Sequence, residues 1–481
     1  MKRIFQSILF FSLLIPLGTI QAALTDKAPK VMSDETKECV ACHKKNNPGL
    51  IQQWGASKHY GANVGCYECH AADPKDPDAY IHDEKKVKKH ISIIVSPKDC
   101  ANCHEAEAEQ MAKSHHADGG KIMGSLDNLL AEVIEGDSGM VTPAFPEGIS
   151  AAAVNGCWQC HGSEVKMIPG KPGMLDPATW PNTGIGRINP DGSKGTCAAC
   201  HSRHLFSAAQ ARQPENCGKC HMGPDHPQIE IYNESKHGIQ YAANREKLNL
   251  DNSKWIAGED YWLAPTCATC HMSATKNQDI THDVGDRISW DNKPKVSKKK
   301  GWKKGTLGWE DRRDNMKDVC QSCHEEDWVE KWYVQYDGLV ELYNRKYGKP
   351  GVELMKAAKP LMKGPKFSTK LDFVWFELWH HEGRRARMAA SMMGPDITHW
   401  EGTYDLGKNF YTEFVPELRE LIEHGKHGSA DDKKAAMNLE KVLDKVLNHD
   451  SHKWFLGKED PAKASERKKR QAEFRKRYSK H

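Results

Sequence analysis

Apolar residues in this 481-residue chain follow two regimes. Between 414 and 449 they recur at steps of three and four, as Leu418, Leu421 and Ile422, then Met437, Val442, Leu443, Val446 and Leu447. That spacing puts one apolar stripe along a helix. Aromatic-rich helical patterning also runs through 327–344 and 373–393. Before residue 330 the apolar positions are scattered among polar stretches rich in Gly and Pro, such as 73–77 and 181–194, which read as loops. The only strand-like run is 91–95. The pattern therefore predicts a mainly α fold with little sheet, short helices in the first part and long helices in the last, with a boundary near 330.

Composition sharpens that contrast. Only 38% of residues are apolar and 28% are charged, a poor supply for an ordinary core of this size. The net charge of +4 is nearly neutral for the length and gives no case for nucleic acid. Residues 1–22 stand apart: Lys2 and Arg3, an apolar stretch over 8–17, and Gln21-Ala22-Ala23 as a small-residue cleavage site. These are the parts of an export signal peptide, with an apolar run too short for a membrane span. A soluble periplasmic protein is expected. The basic stretches 295–304 and 463–480 read as solvated loop and tail rather than docking elements. The expected division is a signal peptide over 1–22, a cofactor-binding domain over 23–330, a helical packing and oligomerisation region over 331–455, and a basic tail over 456–481.

The missing core is explained by the cysteines. All sixteen lie in eight C-x-x-C-H motifs. The pairs are Cys39 and Cys42, Cys66 and Cys69, Cys100 and Cys103, Cys157 and Cys160, Cys197 and Cys200, Cys217 and Cys220, Cys267 and Cys270, and Cys320 and Cys323. This is the attachment site of c-type haem: two thiols bond the porphyrin and the adjacent histidine ligates the iron. A zinc pair or redox dithiol would not recur eight times with no cysteine left over, and a disulfide framework would not place histidine after every second cysteine. The proximal ligands are then His43, His70, His104, His161, His201, His221, His271 and His324. Eight flat, apolar porphyrins would supply the interior that the side chains do not, giving a haem-packed N-terminal part. The motif intervals are irregular, which excludes a strict solenoid repeat.

Histidine number tests whether any iron is open. Of 25 histidines, eight lie in the motifs. Seven further ligands would give seven six-coordinate irons and one free to bind substrate. Ser57-Lys58-His59, Ser114-His115-His116 and Ser235-Lys236-His237 share the form S-x-H, which nominates His59, His116 and His237. His204, His82, His282 and His381 complete seven. His90 rivals His82, His115 rivals His116, and His380 rivals His381. Asp225 and His226 lie between prolines and a glycine just after the Cys217 motif. A carboxylate beside an imidazole can accept and donate protons on one substrate; a structural turn with a surface histidine is the competing reading.

The eight-motif layout, CWQCHG from 157, CAACHSRHLFSAAQARQPENCGKCHMGPDHP from 197 and HHEGRRARMAASMMGPDITHW from 380 resemble the octahaem hydroxylamine oxidoreductases. The resemblance covers nearly the whole chain beyond residue 22. The stretch from Cys157 is also similar to the pentahaem cytochrome c nitrite reductases, with His161 where those have lysine. The resemblance implies that the haem at Cys157 and Cys160 is catalytic, that Asp225 and His226 line its distal pocket, and that Tyr333 or Tyr336 supplies a distal tyrosine. It also implies a homotrimer. In the oxidising members a tyrosine from a neighbouring subunit is cross-linked to the catalytic haem, in a segment of the form G-P-D-Y-T-x-W. Here Ile397 stands at that tyrosine's place, with Tyr404 and Tyr411 nearby. Without the cross-link the porphyrin keeps its conjugation, which favours giving electrons to substrate. The leading expectation is reduction of nitrite or hydroxylamine to ammonia, with electrons from a quinol-linked or soluble cytochrome c. The alternatives are a hydroxylamine or hydrazine oxidase, and a non-catalytic electron conduit.

Overall fold

The computed structural model describes residues 32–83, 87–124, 129–289 and 307–479. The signal peptide and the basic run at 295–304 lie outside the described residues. The chain divides into two compact units, one formed by Met1–Val95 with Arg203–Phe206 and the other by Ser96–Ser202 with Ser207–His481.

In the first unit, Ser33 accepts from Thr36 N at 3.2 Å and starts the helix Asp34–Asn46, which carries the first motif. The second motif forms the short helix Cys66–His70. The two helices meet where Thr36 donates to Glu68 at 3.0 Å, and a side chain at Gly65 would strike Thr36 at 2.5 Å. A two-stranded antiparallel sheet pairs Tyr80–Asp83 with Val87–Ile91. The expected strand at 91–95 is therefore displaced: only Ile91 belongs to it. Ser92 turns the chain away by bonding Asp78 and the Ile94 carbonyl.

The second unit is built largely of helices, with a second small antiparallel sheet, Met140–Thr142 against Phe145–Ile149. The hairpin had no alternating pattern to announce it. It is held by Asp176, whose two oxygens accept from Thr142 and from Ala144 N at 2.8 Å each, a partner more than thirty residues away. Several motifs occupy helix ends or short helices, including Trp158–His161, Cys267–His271 and the end of Trp309–Gln321.

The long helices lie where the apolar pattern expects them, with two corrections. Glu326–Tyr343 is one continuous helix, so the expected boundary near 330 falls inside it. The pattern over 414–449 forms two helices, Val415–Lys426 and Ala430–Leu447, because Ser429 caps the second one and exchanges bonds with Asp432 at 3.0 and 3.2 Å. Their buried residues include Leu418, Ile422, Leu443, Val446 and Leu447, as the stripe requires, while Met437 is exposed. Within the basic tail, Pro461–Tyr478 is a helix with no buried residue.

Candidate haem-binding and active site

The histidines outside the motifs take up a recurrent spacing against those inside. Within the first unit the ring of His82 lies 6.1 Å from that of His43, and His204 lies 6.4 Å from His70. Within the second, His116 lies 6.1 Å from His221, His282 lies 6.5 Å from His201, and His237 lies 6.2 Å from His324. Two metal–imidazole bonds of about 2 Å, plus the distance from each bonding nitrogen to its ring centre, put coaxial rings roughly 6.3 Å apart. The five pairs thus match the span of an iron with an imidazole on each side, which is the fit expected of bis-histidine haem. Burial pulls His116 and His204 down to about 4 and also lowers His221, His237 and His282, so these rings are neutral at pH 7, the form that ligates iron.

The rival positions lie in different surroundings. His90 sits on the strand opposite Ile81, and it is His82 whose ring faces His43. His115 approaches Gly285, whereas His116 faces His221. His59 sits edge-on to Phe206 at 5.1 Å. His381 groups with its neighbour: its ligating nitrogen, that of His380 and a carboxylate oxygen of Asp225 lie within 4.8 Å of one another.

No disulfide joins any of the sixteen cysteines. Their thiols stand where thioether sulfurs would be after haem attachment, and they bring motifs together. Hydrogen-bond contacts join Cys39 with Cys66, Cys100 with Cys197, Cys160 with Cys220, and Cys217 with Cys267. The Cys157 motif is fixed with particular closeness. A π-helical turn, Ala153–Cys157, leads into it, a widened geometry frequent at functional sites. Ile185 N and Gly186 N donate to the Cys160 and His161 carbonyls at 2.9 and 3.1 Å. This backbone-on-backbone packing needs glycine: a side chain at Gly184 would come within 2.1 Å of Gly162 N.

Asp225 and His226 follow Cys220 and His221 directly. Asp225 Oδ1 takes Arg384 Nη1 at 2.6 Å and His380 Nδ1 at 2.8 Å, and its Oδ2 lies 3.4 Å from His226 Nε2. Arg385 Nε donates to the Pro224 carbonyl at 3.0 Å. Burial works to raise the Asp225 carboxyl, but His380 and Arg384 outweigh it and hold it below the ordinary carboxylate value. Asp225 is therefore ionised at neutral pH and stands as an acceptor beside the His226 ring. The His226 ring lies 6.1 Å from His221, the same distance as His116. Its nitrogens are directed instead at Asp225 and, at 3.3 Å, the Met222 carbonyl, so it is not aimed at an iron.

His380 and Arg384 were not anticipated as partners of Asp225. Their spacing of four residues, which puts them on one helical face, was the available signal; the contact spans 159 residues. The same helix, Gly383–Ser391, places Arg387 over the Tyr343 ring at 4.0 Å. Tyr333 and Tyr336 are both buried in the preceding helix among Val329 and Val340, and burial raises both phenols. Ile397 is 6% exposed and packs with Ile231 and Ala389 of its own chain. Tyr411 is buried, its hydroxyl 2.8 Å from His452 Nδ1, whereas Tyr404 is 52% exposed.

Comparison with known proteins points the same way. A family profile described as "Seven times multi-haem cytochrome CxxCH" matches residues 189–350, and one described as "Cytochrome c554 and c-prime" matches 18–71. A probable nitrite reductase-hydroxylamine oxidoreductase fusion protein of Kuenenia stuttgartiensis is 30% identical over 269 residues, covering 50% of this chain and 26% of that protein. The chain thus spans about a quarter of the length of that curated relative. A solved structure called a hypothetical multiheme protein aligns with a TM-score of 0.68 at 26% identity, over 83% of this chain and 98% of that one. A reducing HAO-like protein complex of the same organism aligns with a TM-score of 0.57 at 19% identity, over 81% and 85%, which shows likeness of fold. The motifs, the ring spacings and these matches make the chain a multihaem c-type cytochrome, mainly α-helical, with covalently bound haem iron.

Proposed function

We propose that this cytochrome is a periplasmic oxidoreductase carrying eight haems, which reduces nitrite or hydroxylamine to ammonia at an open iron held by Cys157, Cys160 and His161. One observation carries the reading. The turn bearing Asp225 and His226 follows directly on Cys220, whose thiol meets that of Cys160, and a helix from the far end of the chain clamps it. A proton-handling pair thereby adjoins a motif packed closely against Gly184 and Gly186.

When bound, the haem iron supplies electrons and an open coordination position. The chain's own residues supply the rest. His82, His116, His204, His237 and His282 would hold haem iron together with His43, His221, His70, His324 and His201, and His59 and His381 are the proposed ligands for two further irons. Arg384 and His380 keep Asp225 charged, and Asp225 orients the His226 imidazole, which passes protons to the nitrogen compound. Reduction to ammonia consumes protons as well as electrons, so turnover draws on this relay. Asp225→Asn combined with His226→Ala should lower turnover of nitrite or hydroxylamine by about 10²-fold or more, since a positioned acid–base group contributes roughly 10²- to 10⁴-fold. Haem content should stay at wild-type level. Retained turnover would reduce the pair to a structural turn.

Buried Ile397 supports reduction rather than oxidation, since it offers no phenol to a neighbour. A second reading, hydroxylamine or hydrazine oxidation in a cross-linked homotrimer, rests on Tyr404, which is exposed and stands 5.1 Å from Trp400. Denaturing gels separate the two: monomers agree with the reductase, a covalent oligomer with the oxidase.

A further inference from the structure

The helix Pro461–Tyr478 has no apolar face turned to the rest of the chain. Every residue in it but one is exposed, and none is buried. Its first turns are tied down: Asp460 caps it, Lys463 pairs with Asp450 at 2.6 Å, and Arg467 holds Glu459 through both guanidinium nitrogens. Beyond Arg467 the ties stop. Among the described residues, the six cations of this helix from Lys468 onward form one ion pair, Arg470 with Glu466 one turn back, at 3.9 Å. The whole helix holds eight Lys and Arg against two Glu.

Local physics explains part of this. Cations in the last turn, here Arg475, Lys476 and Arg477, complement the negative end of a helix. It does not explain the two rings beside them. Phe474 is 60% exposed and Tyr478 69% exposed; four residues apart, they share a face and stand 4.9 Å from each other. Water-facing aromatic pairs inside a polybasic helix have a physical use at a lipid surface, where rings sit at headgroup depth and Lys and Arg meet anionic phosphates.

We infer that Pro461–Tyr478 is a peripheral membrane-docking helix, whose Phe474 and Tyr478 enter the headgroup layer of a bilayer rich in anionic phospholipid while the surrounding cations neutralise it. The distribution of charge favours lipid over an acidic protein. Cations occupy the ring face, through Arg470, Arg475 and Arg477, and also the opposite side, through Lys469 and Lys476. A protein partner would reward one stripe of charge; a sheet of headgroups acts on every cation within a Debye length, about 8 Å at physiological salt and close to a helix diameter. Among the described residues no helix is long and apolar enough to cross a membrane.

The test is co-sedimentation of the full-length, haem-loaded protein with vesicles of phosphatidylglycerol mixed with phosphatidylcholine, and with phosphatidylcholine alone. Binding to the anionic vesicles and not the neutral ones is expected, weakening as salt rises. Each cation near an anionic surface multiplies partitioning about fivefold. The triple variant Arg470→Gln, Arg475→Gln, Arg477→Gln should therefore bind roughly 100-fold more weakly, with haem content and turnover unchanged. Phe474→Ser with Tyr478→Ser should shed the fraction that survives high salt. Equal binding to both vesicle types, binding to neither, or an unaffected triple variant overturns the proposal. Retention on immobilised polyglutamate without vesicle binding transfers the helix to an acidic protein partner. A smaller oligomer for the triple variant in sedimentation velocity transfers it to a second copy of the chain.

Discussion

Between Tyr343 and Leu447, twenty-one buried residues join in one apolar cluster that includes Leu354, Phe410, Phe414, Leu418 and Leu439, each at most 1% exposed. Between Ser96 and Cys323, the largest cluster among the described residues has eight members and mixes Tyr232, Tyr241, Trp255 and Tyr261 with small alanines. The interior of that stretch is instead full of polar groups, such as Asp176, Arg187, Thr196, Ser235 and Arg287. The C-terminal helices carry their own core. The motif-bearing stretch is ordered around histidine rings that face one another across a gap of iron size, so its core is a group the chain binds rather than encodes.

The largest predicted effect follows from that difference. Blocking haem attachment should leave the motif-bearing stretch unable to form its compact interior, while the helices from Lys349–Ala358 to Ala430–Leu447 keep a protease-resistant core. Limited proteolysis with far-ultraviolet circular dichroism reads both regions at once. Loss of all helical signal would break the distinction.

A smaller effect tests the other side. Leu439→Ala removes a side chain that is 0% exposed and should cost about 2–5 kcal/mol, as buried leucine truncations do. Thermal unfolding of the C-terminal helices should fall while haem absorbance at ambient temperature is unchanged. Coupled loss of both signals would mean one cooperative unit rather than two regimes.

The next effect is pH-dependent. His452 is 1% exposed beside Tyr411, and burial pulls its imidazole down to about 4. An unfolded chain takes up a proton near the ordinary value of 6.5, which the folded one refuses. The neutral ring's contribution is therefore present above pH 6.5 and lost as pH falls towards 4, at most about 3 kcal/mol. His452→Gln should flatten that slope in the C-terminal helices without altering the haem spectrum; an unchanged slope would show that other groups set it.

The smallest stability effect lies where the two regions meet. Arg384→Gln should cost only about 1–2 kcal/mol, the scale of one charge-assisted bond at a partly exposed carboxylate, yet turnover should drop because Asp225 loses its principal cation. Partial recovery with added guanidinium, and no change in haem content, is the expected result. A variant with normal turnover would separate the helix from the site.

Much of the site was legible because covalent chemistry leaves fixed spacing: two thiols and a histidine must be contiguous. The histidines opposite them are less legible, since the porphyrin lets them come from anywhere in the chain. Spacing could not divide His82 from His90 or His115 from His116; in the fold it is His82 that lies 6.1 Å from His43 and His116 that lies 6.1 Å from His221. The apolar stripe identified Leu418, Leu443 and Val446 as core positions because helical burial is periodic. The hairpin at Met140–Thr142 and the clamp on Asp225 escaped for one reason: each depends on a partner far along the chain, Asp176 in one case and His380 with Arg384 in the other.

The central claim is that histidine pairs close most of the irons and that one, at Cys157, stays open. Electron paramagnetic resonance of the oxidised protein, with spin quantitation before and after nitrite or cyanide, addresses it directly. The account predicts seven low-spin haems and one high-spin haem, with only the high-spin signal responding to the added ligand. A spectrum of low-spin haems alone would contradict it and leave an electron conduit.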